Sequence, residues 1–170
     1  MDQPVLSGRA ITIGDDVSTD DIIPGRFANL RSNLPELAKH ALEDRLPAFH
    51  NTVKPGDILV GGRNFGLGSS REHAPVVIKM AGVSAILAKS VARIFYRNAI
   101  NQGVAVLMCD TDGIVDGDTL EIKMDEGLVV NHRTGAVIPC GRMPALMSRI
   151  LAAGGLIPYI REHGTLDADA

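Results

Sequence analysis

The chain has 170 residues, 17 basic and 20 acidic, with a net charge of −3, 45 % hydrophobic and 4 % aromatic residues, and two cysteines. A chain of this length buries roughly 70 % of the surface its unfolded form exposes, so one packed domain over residues 1–170 is expected, its core built from Val, Ile, Leu, Ala and Met. The acidic balance argues against nucleic acid as the main ligand, and no apolar run reaches the ~18 residues of a membrane span. The start, Met1-Asp2-Gln3-Pro4-Val5-Leu6, lacks the basic region and apolar run of a signal peptide. A cytoplasmic location is expected, with Cys109 and Cys140 as reduced structural thiols.

In chain order, Arg9 to Ile13 alternates like a short strand, and Gly14-Asp15-Asp16 turns it. Residues 18–25 read as a polar loop. Leu34, Leu37, Ala38, Ala41 and Leu42 recur at helical spacing behind Asn33 as cap, and this helix is expected to end before Pro47. Ile58-Leu59-Val60 is a short buried strand leading into a glycine loop, Asn64 to His73. Pro75 is tolerated only in a first turn, so the next helix must begin between Ser70 and His73. Val83 to Ala88 predicts a strand, Ala92 to Gln102 a helix, and Val104 to Met108 a further strand. Strands alternating with helices imply parallel pairing. The rhythm then changes: residues 119–123 and 128–131 predict a hairpin around Asp125-Glu126-Gly127, and Pro144 to Ala153 a last helix ended by Gly154-Gly155. Residues 164–170 are expected to form a frayed tail.

The glycine loop carries the chemistry. Gly66 and Gly68 allow tight bending, Ser69 and Ser70 bring hydroxyls, Arg71 brings a planar fork suited to a carboxylate, and a helix N-terminus follows. A dinucleotide fingerprint would need a third glycine where Arg71 stands, a phosphate loop a Gly-Lys pair, and a nucleophile elbow a glycine after the serine. None is present. The bland use of the same residues is a helix cap, with Ser70 as cap and Glu72 as first-turn acid. Asp15, Asp16, Asp20 and Asp21 do not fit a calcium loop and suit turn chemistry. The five histidines lack metal-ligand spacing; Ile94, Ala99 and Ile100 are candidate core positions of the 92–102 helix, and Arg93, Arg97, Asn98 and Asn101 are either its structural polar face or look toward the glycine loop or a partner.

Three segments together resemble a known family: Ser18-Thr19-Asp20-Asp21-Ile22-Ile23-Pro24-Gly25, Asn64-Phe65-Gly66-Leu67-Gly68-Ser69-Ser70-Arg71-Glu72-His73-Ala74-Pro75, and Ala88-Lys89-Ser90-Val91-Ala92-Arg93-Ile94-Phe95-Tyr96-Arg97-Asn98-Ala99-Ile100-Asn101. In this order they are similar to the small subunits of 3-isopropylmalate dehydratases, in the aconitase superfamily, over about residues 8–163. The resemblance implies an α/β fold, a swivelling β/β/α three-layer domain like the mobile fourth domain of aconitases. It implies a hydro-lyase that interconverts 2- and 3-isopropylmalate in leucine biosynthesis, active only with a large subunit that carries a [4Fe–4S] cluster. This chain itself would bind no cofactor and no metal, having neither three grouped cysteines nor a histidine cluster.

By the same resemblance Ser69 is the base, Ser70 and Arg71 hold a carboxylate of a small dicarboxylic hydroxy acid, and Asp20 completes the polar wall. Phe27, Ala28, Asn29 and Leu30, with Arg26 beside them, occupy the loop that meets the substrate's variable group. Tricarboxylate-using relatives have arginine at the position of Asn29, so an apolar group is favoured here. Leu67 replaces a frequent cysteine. Alternatives are a related hydro-lyase for homoaconitate, citraconate/methylmalate or dimethylmalate, and a stand-alone anion-binding module.

Overall fold

The computed structural model describes residues 5–166. Its strands are β1 (Leu6–Gly14), β2 (Ile58–Gly61), β3 (Ala85–Ala88), β4 (Ala105–Met108), β5 (Thr119–Lys123), β6 (Leu128–Asn131) and β7 (Val137–Pro139). The helices are α1 (Thr19–Ile22), α2 (Leu34–Ala38), α3 (Phe49–Thr52), α4 (His73–Ala81), α5 (Arg93–Asn101), α6 (Ala145–Ala152) and α7 (Leu156–His163), and Gly25–Ser32 is a 3₁₀ segment. One seven-stranded sheet has the order β4-β3-β2-β1-β5-β6-β7. β1 to β4 pair in parallel, and β5 to β7 continue from β1 antiparallel.

Alternation along each strand sorts its side chains onto two faces. Leu59, Ile86 and Val106 face the layer of α2, α4 and α5, where Leu37, Val77, Ile78, Phe95 and Ala99 are buried. Ile58, Val60, Leu87 and Leu107 face the other way and pack against Leu120, Ile122 and Val129 of the antiparallel half. The sheet therefore covers its own second face, giving the β/β/α layering expected from the sequence.

Four details differ from the sequence reading. The 34–42 helix stops at Ala38, because Leu42 takes a φ of 59° and its N–H donates to the Ile22 carbonyl at 3.1 Å. Leu37, Ala38, Ala41 and Leu42 are buried nonetheless, so the apolar spacing read burial correctly and helix length wrongly. Residues 19–22, read as loop, form a helical turn fixed by a capping box: the Ser18 hydroxyl accepts from the Asp21 N–H and the Asp21 carboxylate from the Ser18 N–H. β7 pairs with β6 although its three residues show no alternation a sequence reading could use. α7 follows Gly154-Gly155, where the last helix was expected to end; Pro158 lies in its first turn, and Tyr159 is fully buried. Of the expected tail 164–170, Gly164 is the left-handed cap of α7, and 167–170 lie outside the described residues.

Candidate active site

The loops that leave the carboxyl ends of β1, β2 and β3 meet at one edge of the sheet, the place where parallel α/β sheets collect ligands. Two isolated parallel bridges, Ser18 with Leu67 and Phe65 with Val91, join the three loops. The Gly66 N–H donates to the Val17 carbonyl at 2.7 Å, the Thr19 N–H to the Leu67 carbonyl at 2.8 Å, and the Ala92 N–H to the Phe65 carbonyl at 2.9 Å. A cleft of about 360 Å³ opens there, walled by Thr19, Ser69 to Arg71 and the first turn of α5.

Both glycines of the loop are required. Gly66 has φ +79°, and a Cβ on it would run into the Phe95 ring. Gly68 has φ +107°, and a Cβ there would stand 3.1 Å from the Thr19 hydroxyl. Larger residues would strain the backbone and fill the approach to Ser69.

The structure brings Ser69, Ser70, Arg71 and Asp20 together. The Ser69 and Ser70 side chains are exposed in the cleft, and the Ser69 hydroxyl lies 3.3 Å from that of Thr19. Arg71 is half-buried; one nitrogen donates to the Ile23 carbonyl at 3.0 Å and the other pairs with Asp20 at 2.6 Å. Asp20 is exposed, so the pair is open to solvent and to exchange with another carboxylate. The helix-cap use of Ser70 is not made: α4 begins at His73 behind Glu72, with no side-chain cap bond. α5 likewise has no side-chain cap and no acid in its first turn, and Arg93, Ile94 and Phe95, whose N–H groups precede the helical ladder, line the cleft.

The other acidic residues of the first loop have local uses. Asp15 accepts from the Arg63 N–H, Asp16 from the Asn64 amide, and Asp21 from Arg45. Arg93 and Asn98 face the glycine loop; Ala99 and Ile100 are buried as expected, whereas Ile94, expected in the core, is exposed and lines the cleft.

Residues 26–30 lie outside the cleft wall. The Arg26 guanidinium is held by Asp44 at 2.7 Å and Glu43 at 2.6 Å and sits over the Phe27 ring, which in turn stacks on His40. Phe27 and Leu30 pack against the core, leaving Ala28 and Asn29 exposed. The sequence reading missed Thr19. Its signal was the Ser18-x-x-Asp21 pattern, which makes residue 19 the first of a helical turn aimed by its cap.

The donor set does not fit an iron–sulfur cluster. Among the described residues no group of three or more His, Cys, Asp or Glu side chains is placed to hold a metal ion. Cys109 is buried, and burial first, then the nearby Cys140 and Asp110, pushes its thiol up to about 12, far from the thiolate a metal requires. No described helix is long and apolar enough to cross a membrane.

Fold and site thus define a polar cleft on a β/β/α scaffold of aconitase type, and residues 32–111 match the family described as the aconitase C-terminal domain. The 3-isopropylmalate dehydratase small subunit 2 of Archaeoglobus fulgidus is 57 % identical over 161 residues, covering 95 % of this chain and 98 % of that protein. Small subunit 1 of Thermotoga maritima is 50 % identical, covering 95 % and 98 %. A crystal structure of 3-isopropylmalate dehydratase from Methanocaldococcus jannaschii superposes with a TM-score of 0.89 at 46 % identity, covering 95 % of this chain and 96 % of that one. The chain belongs to the family of 3-isopropylmalate dehydratase small subunits.

Proposed function

We propose that this chain is the small subunit of a 3-isopropylmalate dehydratase, a hydro-lyase that interconverts 2- and 3-isopropylmalate in leucine biosynthesis. The observation that carries the reading is the convergence of Ser69, Ser70 and Arg71 on one cleft in a chain that matches such subunits over nearly their whole length. The large subunit would hold a [4Fe–4S] cluster, which would supply Lewis-acid chemistry toward the substrate hydroxyl, and the complex works in the cytoplasm. Ile94, 55 % exposed at the rim of the cleft, fits a face turned to that partner.

Within this chain, Arg71 and Ser70 grip one substrate carboxylate through charge-assisted hydrogen bonds. Ser69 takes the carbon-bound proton: an O–H bond forms as the C–H bond breaks, and the freed electron pair becomes the double bond as hydroxide leaves the neighbouring carbon. A serine alkoxide is a strong base and needs stabilisation. Arg71 and the free amides of α5 supply positive potential beside it, strengthened when closure of the partner excludes water. Asp20 orients Arg71. Ala28 and Asn29, the exposed members of the segment 26–30, meet the substrate's variable group. Arg26 and Phe27 brace them from behind, and Leu30 anchors the segment to the core. The segment starts three residues after Ile23, whose carbonyl Arg71 holds, so the carboxylate grip and the side-group contact are mechanically joined.

The test is reconstitution with a cognate large subunit and assay against a panel of substituted malates. The reading predicts no turnover by the 18.0 kDa chain alone, turnover by the pair, and highest kcat/KM for the isopropyl compound. Preference for a tricarboxylate, or turnover without a partner, would reject it.

A further inference from the structure

We propose that Thr19 is a positioning residue for Ser69: its hydroxyl fixes the Ser69 oxygen and donates a hydrogen bond to it when that oxygen is deprotonated. The inference rests on the reading of Ser69 as proton acceptor.

Thr19 is 2 % exposed, yet it forms part of the cleft wall. Its backbone is already committed: the N–H donates to the Leu67 carbonyl at 2.8 Å and the carbonyl accepts from the Ile23 N–H at 2.9 Å. The first bond holds α1 to the glycine loop and the second closes α1, both without help from the side chain. The capping box of α1 uses Ser18 and Asp21 and leaves the Thr19 hydroxyl out. As the first residue of α1, Thr19 has no preceding helical turn whose carbonyls could take its hydroxyl. Among the described residues its one hydrogen-bond partner is Ser69 Oγ, at 3.3 Å.

A buried hydroxyl must place its hydrogen somewhere, because an unsatisfied polar group is costly. With Ser69 protonated either oxygen can donate. With Ser69 as alkoxide the direction is fixed, since only Thr19 then carries a proton. The bond becomes charge-assisted and stronger in the state the reaction needs. Gly68 keeps the line between the two oxygens clear, since a Cβ there would crowd the threonine hydroxyl. Thr19 keeps its own proton throughout. Its neighbour Asp20 engages Arg71, so one helical turn places a hydroxyl on the base and a carboxylate on the clamp.

The experiment compares Thr19→Val, Thr19→Ser, Ser69→Ala and Thr19→Val/Ser69→Ala in the reconstituted two-subunit enzyme. Valine keeps the shape and removes the donor. Losing one preorganised donor of this kind should lower kcat about 10²-fold with KM within about threefold. The activating limb of the kcat–pH profile should move to higher pH, because the alkoxide has lost a stabilising bond. Thr19→Ser should recover most of the rate, and Thr19→Val should add no further loss to Ser69→Ala. Should the valine variant fail to fold, Thr19→Ala replaces it with the same readouts. An impaired Ser69→Ala beside a Thr19→Val that keeps wild-type kcat and pH profile would sink the Thr19 assignment alone. Additive losses in the double variant would sink it too. A fully active Ser69→Ala would instead remove the reading on which it rests.

Discussion

Arg71 and Arg133 each hold one aspartate, but the two carboxylates live in different surroundings. The Asp118 side chain is 1 % exposed and saturated: it accepts from Arg133 Nε at 2.5 Å, the Asn131 amide at 2.7 Å, the Val115 N–H at 3.0 Å and Arg133 Nη2 at 3.3 Å. Asp20 is 71 % exposed and meets Arg71 in a single ion pair. The first arrangement locks the loop before β5 to the end of β6. The second holds a guanidinium ready while leaving it open to a competing carboxylate, since exposed pairs of this kind contribute only about 0–1 kcal/mol. The same two residue types build the fold in one place and, in the proposed function, a binding fork in the other, and the saturation of the acceptor separates the two uses.

Arg71→Ala should break the comparison most strongly. Losing a charged hydrogen-bonding partner is predicted to raise KM about 10²-fold, while the melting temperature stays within about 2 °C of wild type. Kinetics and thermal unfolding of the same preparation check both halves. Asp20→Asn should follow with a KM change of no more than about threefold, since the pair it removes is exposed and exchangeable.

Arg133→Ala should do the reverse. The melting temperature is predicted to fall by about 5 °C with kcat and KM unchanged for the folded complex. The acid side sharpens this. Hydrogen bonds from Arg133 above all, then from the Val115 N–H and Asn131, hold the Asp118 carboxyl down from 3.8 to about 2. A depressed carboxyl stabilises the fold above its unfolded value, near pH 4, and that contribution is lost as pH falls toward 2. In Arg133→Ala the carboxyl should titrate closer to its ordinary range, so acid unfolding should begin at higher pH, as circular dichroism between pH 2 and 5 would show.

The contrast also explains what the sequence could and could not disclose. Ser69, Ser70 and Arg71 were legible because glycines, hydroxyls and a guanidinium stand together in one loop before a helix whose start Pro75 fixes. β2, β3 and β4 were legible because each is a short buried run between turn residues, and β1 because it alternates. The Thr19–Ser69 contact was not, since it joins hydroxyls 50 positions apart. Nor was the Asp118 cluster, assembled from a loop residue, a strand end and the turn beyond it. The 34–42 helix misled for a related reason: a long-range hydrogen bond from Leu42 to Ile22 overrode local periodicity. Arg26 shows the limit from the other side, because nothing in its neighbourhood announces that Glu43 and Asp44 will occupy its fork.

The most direct measurement is kcat of the reconstituted complex carrying Ser69→Ala, with assembly verified by co-elution. If this chain contributes the proton acceptor, turnover falls by about 10²–10⁴-fold, the range of a proton-transfer group, while the subunits still associate. A complex that assembles and turns over within about threefold of wild type would contradict the account.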